Sequence, residues 1–349
     1  MTMTSLTDQR TVIGGVDTHR DVHVAAAIDD LGRVLGTAEF PTTLAGHRRL
    51  LRWLRRHGEV RLVGVEGTGA WGAGLMRFLH AEGIAVVEVD RPNRQRRRRH
   101  GKPDPVDAEA AARAALNGDA CGVPKARDGL VEAIRALRVA RRSAIKARTQ
   151  AANQLHALVS TAPDDLRAEL RELPLVKLAT IAARFRPGPP DTAIAGTKTA
   201  LREIARRWTA LGDEITRLDA DLEILVAQAA PTLVARHGIG TDTAGALLVA
   251  AGDNPDRLRN ERSFAALCGT SPLEASSGMH RRHRLNRGGD RQANQALWRI
   301  ALVRMSSCPR TRDYVERRTK EGRTKKEIIR CLKRYIAREV YADLRHLDL

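Results

Sequence analysis

Three short β-branched runs follow one another near the start of this chain: VIGGVD (Val12–Asp17), HVAAAID (His23–Asp29) and RVLGTAEF (Arg33–Phe40). Runs this closely spaced read as hairpin-connected strands, and DDLG (Asp29–Gly32) supplies the tight turn between the second and third. The pattern then changes. A helix is expected over Leu44–His57, a strand at RLVGVE (Arg61–Glu66), a helix over Ala70–Glu82 and a strand at IAVVEVD (Ile84–Asp90). Hairpins first and strand–helix–strand units after predict an α/β fold, a mixed sheet flanked by helices.

Beyond this unit the chain turns helical. Leu130, Ile134, Leu137, Ala140, Ala144, Ile145 and Ala147 mark one apolar stripe, continued by Leu155 and Leu158. A second long helix is expected over Leu201–Ala227, with RPGPPD (Arg186–Asp191) as the loop between. Paired long helices of this kind predict a hairpin or a coiled coil, serving as spacer or oligomer interface. The last region is basic and mainly helical. HGIGTDTAGALLVAAG (His237–Gly252) reads as helix, glycine turn, helix, and Asp290 is placed to cap RQANQALWRIALVRM. The expected organisation is therefore residues 1–125, a helical coiled-coil spacer at 126–230, and a mainly α domain at 231–349.

Charge narrows the function. The formal net charge is +19, and self-repulsion of that size is relieved by a polyanionic partner, so a nucleic acid is the expected ligand. Aromatic residues are 3% of the chain, too few for a platform that stacks successive bases, which leaves backbone charge contacts as the main grip. The four cysteines are scattered without a CxxC pair, which argues against a structural zinc site and fits a reducing cytoplasm. The opening MTMTSLTDQR has no apolar core of a signal peptide, and the longest apolar run, near Ala244–Gly252, is too short to span a bilayer. A soluble, cytoplasmic, nucleoid-associated protein with no membrane contact is expected.

Four carboxylates stand out. Asp17 ends the first strand and Glu66 the fourth, and strand ends on one edge of such a sheet face a common crevice. KPDPVDAEAA then places Asp104 and Asp107 three apart at a helix start, on one helical face. Converging carboxylates repel unless a divalent cation neutralises them, and hard oxygen ligands suit Mg²⁺ or Mn²⁺. Taken alone, Asp104-Pro105 with Asp107 is equally a helix-capping arrangement, and Asp21, Glu88 and Asp90 are competing acids nearby. Just before the pair, RPNRQRRRRHGK carries Arg94, Arg96, Arg97, Arg98, Arg99 and Lys102, placed to hold phosphates.

GVDTHRDVHVAAAID, GVEGTGAWG and GKPDPVDAEAAARAA together resemble the DEDD insertion-sequence transposases, whose N-terminal domain is like the RuvC Holliday-junction resolvase. The resemblance implies an RNase H/RuvC-like sheet and a four-acid metal set, which here falls on Asp17, Glu66, Asp104 and Asp107. A second set, HGIGTDTAGALLVAAGD, FAALCGTSPLEASSG and RLNRGGDRQANQALWRIAL, resembles the family's C-terminal transposase domain and follows in the expected order. The family's Ser-Gly motif, which carries a serine nucleophile, matches Ser277-Gly278, with Ser276 the adjacent alternative. One departure is Gly269-Thr270-Ser271-Pro272, where the family more often has Gly-Leu-x-Pro. The family also implies an intervening coiled coil, and because recombination needs several subunits to hold two duplexes a homo-oligomer, dimer or tetramer, is expected. In some members a structured guide RNA pairs with donor and target DNA, so an RNA partner is open to this chain.

These readings converge on a DNA transposase or recombinase that uses carboxylate-bound Mg²⁺ and a serine nucleophile. Arg281, Arg282, Arg284 and Arg287 are expected to stabilise charge on the phosphate. No histidine base is assigned by spacing, although His280 and His283 are near. Two alternatives stay open: a RuvC-like nuclease or resolvase in which metal-bound water cuts without a covalent intermediate, and a non-catalytic DNA-binding protein.

Overall fold

A computed structural model describes residues 10–89, 104–120, 122–254, 257–275 and 283–347, and of Asp104 the backbone alone. The residues divide into two compact units. One comprises the chain to Gly129 together with 251–264, and the other takes 130–250 and 265–348.

The first unit opens with β1 (Thr11–Thr18), β2 (Val22–Asp29) and β3 (Val34–Pro41). The helix α1 (Leu44–His57), strand β4 (Glu59–Glu66), helix α2 (Ala73–Ala81) and strand β5 (Val86–Val89) follow. The sheet order is β3-β2-β1-β4-β5. β1–β2 and β2–β3 are antiparallel, whereas β1–β4 and β4–β5 are parallel. That mixture follows from the connections: the first two are turns, and the later ones contain helices that let the chain return in the same direction. The turn at Asp29–Gly32 forms because Oδ1 of Asp29 accepts from the Leu31 and Arg33 amides at 3.0 and 2.8 Å, and Gly32 takes φ 77°. The helix expected from Ala70 starts at Ala73, because Gly67 (φ 70°) begins a turn in which its carbonyl accepts from the Ala70 amide.

Pleating sorts the strand residues onto two faces. Val12, Val16, Ala25, Ala27, Val63 and Val65 pack with Leu50, Leu51 and Leu54 of α1 and Leu75 and Leu79 of α2. On the opposite face Ile13 and Ile28 pack with Ala112 and Ala115 of α3 (Asp104–Leu116).

His23 is fully buried on the α1 face, its ring stacked on His47 at 5.6 Å. Neither His23 ring nitrogen meets a hydrogen-bond partner among the described residues. Burial, then the nearby His47 and His19, lower its pKa from 6.5 to about 4. The unfolded chain therefore takes up this proton at a higher pH than the folded one. The stability His23 contributes is complete above pH 6.5 and is lost as the pH falls from there toward 4. Between pH 7 and pH 5 the loss is about 2 kcal/mol. Denaturant titrations at the two pH values should show this slope in the parent protein and its absence in His23→Leu.

The segment 251–264 belongs to the same unit. Asn254 accepts from the Ala126 amide at 3.1 Å and donates to the Pro124 carbonyl at 2.9 Å, and Arg257 donates to the Val123 carbonyl at 2.9 Å.

The second unit is helical. α4 (Leu130–Ser160) and α7 (Ala193–Ala229) lie against each other, with α5 (Asp164–Leu170) and α6 (Leu175–Ala182) between them in sequence. Leu155, Val159, Leu166, Leu170, Leu178 and Leu201 close their shared core. Arg148 sits 4.1 Å over the Trp208 ring. α7 begins eight residues before its expected start. Thr192 caps it by accepting from the Ala195 amide, and the hydroxyls of Thr197 and Thr199 bond back to carbonyls four residues earlier. Further on come α8 (Pro231–Val234), α9 (Thr241–Ala251), α10 (Glu261–Leu267), the two-residue strands β6 (Leu273–Glu274) and β7 (His283–Arg284), α11 (Arg291–Ser307), α12 (Pro309–Lys320) and α13 (Lys325–Leu344). No helix among the described residues is long and apolar enough to cross a membrane.

Candidate active site

Two glycines decide where α3 sits. A Cβ on Gly15 would lie 2.1 Å from the Ala108 carbonyl oxygen and 2.3 Å from the Ala112 amide nitrogen. One on Gly64 would lie 2.6 Å from the Ala111 carbonyl oxygen. The helix backbone thus rests directly on the backbones of β1 and β4, which requires glycine below and alanine above. The helix runs opposite to β1: Ile13 meets Ala112 and Ala115, whereas Val24, which pairs with Asp17, meets Ala108. Its N-terminal turn therefore points toward the ends of β1 and β4 that carry the acids.

Asp17 lies two residues beyond Gly15, and Glu66 two beyond Gly64, so each acid shares a sheet face with its glycine. Val16 and Val65 are register partners, which makes Asp17 and Glu66 lateral neighbours. The Thr18 hydroxyl ties the strand ends by donating to the Glu66 carbonyl at 2.8 Å. Asp107 stands one turn before Ala111 on the seated face of α3, and Asp104 is the first helical residue. Asp17 and Asp107 are 6% and 8% exposed, and Glu66 is half-buried. Burial of carboxylates at one corner of a sheet calls for positive charge; Nε2 of His19 lies 3.3 Å from Oδ2 of Asp17.

The competing acids have other roles. Glu88 lies on the far face of its strand, where it accepts from the Thr68 hydroxyl at 2.6 Å and faces Arg257. Asp21 is exposed beside Arg20, and Asp90 lies outside the described residues. Among the described residues no three His, Cys, Asp or Glu side chains are gathered closely enough to cage an ion. The donor chemistry itself, oxygen-only and partly buried, fits a hard divalent cation.

In the second unit β6 and β7 pair antiparallel, Leu273 with Arg284 and Glu274 with His283. Between them in sequence lie Ser276, Ser277, Arg281 and Arg282, which fall outside the described residues, as do Arg94, Arg96, Arg97, Arg98, Arg99 and Lys102. Arg284 and Arg287 are exposed. The two ends of this segment are tightly held. Gly269 takes φ 63°, and a Cβ on Gly289 would fall 2.2 Å from the Gly269 amide nitrogen. The Asn294 amide donates to the Cys268 and Gly269 carbonyls at 2.8 and 3.1 Å, and Lys333 donates to Oδ1 of Asn294 at 2.8 Å. Burial, then Arg330, lowers the Lys333 pKa. As expected, Asp290 caps α11, accepting from the Gln292 and Ala293 amides.

Four supporting features had escaped the sequence reading: the glycine–alanine seat, His19, Asn294 and Lys333. A signal for the seat was present, since both strand-end acids occur as Gly-x-acid ahead of an alanine-rich helix. Lys333 carries no local signal, because its partner is 39 residues away.

Residues 14–162 match the DEDD-type IS110 transposase model, and residues 231–316 match the Transposase IS116/IS110/IS902 family. The chain is 27% identical to the Mini-circle putative transposase for IS117 of Streptomyces coelicolor, across 90% of this chain and 89% of that protein. It is 30% identical to the Insertion element IS110 uncharacterized 43.6 kDa protein of the same organism, across 44% of this chain and 39% of that one. It is also 30% identical to the Pilin gene-inverting protein of Moraxella bovis, across 40% of this chain and 45% of that one. The chain thus matches less than half the length of the last two relatives. The N-terminal match spans Asp17, Glu66, Asp104 and Asp107, and the second spans residues 276–277; the chain belongs to the IS116/IS110/IS902 family of transposases.

Proposed function

We propose that the chain cuts and rejoins DNA as the recombinase of an insertion sequence, through a covalent phosphoserine intermediate. The observation that carries this reading is the glycine-seated α3, which brings the Asp107 end of the helix to the strand ends bearing Asp17 and Glu66. Asp17, Glu66, Asp104 and Asp107 would hold Mg²⁺ or Mn²⁺, which would supply positive charge beside the scissile phosphodiester. His19 orients the Asp17 carboxylate. Ser277 donates its Oγ to the phosphorus, a P–O bond to the leaving deoxyribose oxygen breaks, and that oxygen leaves as a hydroxyl. Attack of a free DNA hydroxyl on the phosphoserine reverses the exchange and restores the serine, so no external energy source is needed.

Arg284 and Arg287, with Arg281 and Arg282, balance charge on the phosphate. Arg94, Arg96, Arg97, Arg98, Arg99 and Lys102 grip the backbone beside the acids. Recombination handles two duplexes, so the working species is a homo-oligomer, with the α4–α7 helix pair as its coiled-coil contact, and a structured RNA is a partner for target choice. The domains act as 1–125, 126–230 and 231–349.

The test uses labelled DNA carrying the element's own junction, with Mg²⁺. The parent protein and Ser276→Ala should each give a denaturant-resistant protein–DNA adduct, and Ser277→Ala none. Cleavage that persists in Ser277→Ala would instead support the metal-dependent nuclease. Purifying the protein from its host and sequencing co-purifying RNA tests the guide.

A further inference from the structure

The second unit contains a cavity of about 870 Å³ between α11, α12 and α13. Its apolar side is formed by Ala301, Leu332 and Ile336. The chain has only three tyrosines, and two of them meet here. The Tyr314 and Tyr335 rings lie edge to face at 5.8 Å, and the guanidinium of Arg317 sits 5.5 Å over Tyr314. Tyr335 lines the cavity and is 48% exposed.

The cationic groups divide into two kinds. Arg236 is committed to Asp343, and Arg304 to Glu339 at 2.6 Å. By contrast, Arg317 reaches Glu321 only at 3.9 Å, and Arg310 makes no ion pair among the described residues. Arg310 and the loosely paired Arg317 therefore remain to meet an anion in a cavity that tyrosine and aliphatic side chains line alongside the Asp313 carboxylate. A flat π-system enters such a space with its face on a tyrosine, and an attached anion stays outside on the arginines.

We infer that this cavity receives a single unpaired nucleotide of the nucleic-acid substrate, its base stacked on Tyr335 and its phosphate held by Arg310 and Arg317. The inference rests on the proposed action on nucleic acid and adds a base-holding site distinct from the acids. It is compatible with the scarcity of aromatics, because one pocket for one base needs two rings rather than a continuous platform. Recombination leaves unpaired nucleotides wherever strands exchange, and a pocket of this kind would hold one out of the stack.

The test uses the full-length protein with a single-stranded DNA oligomer carrying 5-iodouracil in place of thymine, and in a second arm the corresponding 5-iodouridine RNA. Irradiation followed by peptide mapping should place a crosslink at Tyr335 in at least one arm, which also identifies the strand type. Tyr335→Ala should weaken binding of that oligomer about tenfold, Tyr335→Phe should retain it, and both variants should bind duplex DNA like the parent. Oligomer binding that is unchanged in Tyr335→Ala, with crosslinks mapping elsewhere, overturns the pocket and leaves the recombinase reading intact. Absence of any binding to oligomer and duplex alike would overturn both.

Discussion

Gly15→Ala is expected to destabilise the first unit by about 3–5 kcal/mol, a large effect for one methyl group. The new Cβ would need to occupy a point 2.1 Å from the Ala108 carbonyl oxygen. Its obstacle is helix backbone, not the mobile end of a side chain, so relief requires α3 to lift from the sheet. Lifting also separates Ala112 and Ala115 from Ile13 and Ile28, whose contacts with them form the core on that face. A second consequence concerns function: Asp107 travels with the helix and leaves the strand ends. Protein that still folds should therefore retain DNA binding and lose cleavage. Gly14→Ala is the control. Its Cβ would meet Leu54 side-chain carbons at 3.1 Å and Val63 at 3.2 Å, neighbours that yield by small rotations, so a much smaller loss is expected. Thermal or denaturant unfolding of the two variants beside the parent checks the contrast.

Asp17→Asn should reduce DNA cleavage and joining by at least about a thousandfold while leaving DNA affinity equal or slightly higher. The replacement has almost the same shape but lacks the charge that a divalent cation requires. Charge stabilisation by a metal at a phosphodiester supplies several kcal/mol of the barrier reduction, and each 1.4 kcal/mol is a factor of ten in rate. Affinity is a separate quantity. It comes from the lysines and arginines behind the net charge of +19, and removal of one negative charge does not weaken it. The comparison of cleavage rate with binding, at one salt concentration, separates a catalytic acid from a structural one. If the variant cleaved at the parent rate, the acid corner would have no part in the chemistry.

Much of the first unit was readable because its signals are local. The Asp29–Gly32 turn, the β-branched runs and the amphipathic α1 each carry their own pattern, and all appear within a few residues of their expected bounds. The strand order could not be read that way, since which strand lies beside β1 is settled by where helices cover the sheet. The acids were legible as a set of residue types at strand ends and a helix start. What joins them was not read, because the seat is made of residues with little or no side chain, Gly15, Gly64, Ala108 and Ala111. Such residues give no hydrophobic signal, and their meaning appears only when the two backbones meet. In the second unit α5 and α6 were missed for a related reason: helices of seven and eight residues are too short to display a helical period. Asn294 and Lys333 look like ordinary surface residues in sequence and become a clamp only through contacts with Gly269 and with each other.

Titration of the purified protein with Mn²⁺, followed by loss of the free-ion EPR signal, reaches the acid corner most directly. Bound Mn²⁺ is predicted in the parent protein, with binding at least tenfold weaker in each of Asp17→Asn, Glu66→Gln and Asp107→Asn although all three remain folded. Binding that survives unchanged in Asp107→Asn would show that α3 does not deliver its carboxylate to the strand-end acids, and would contradict the account.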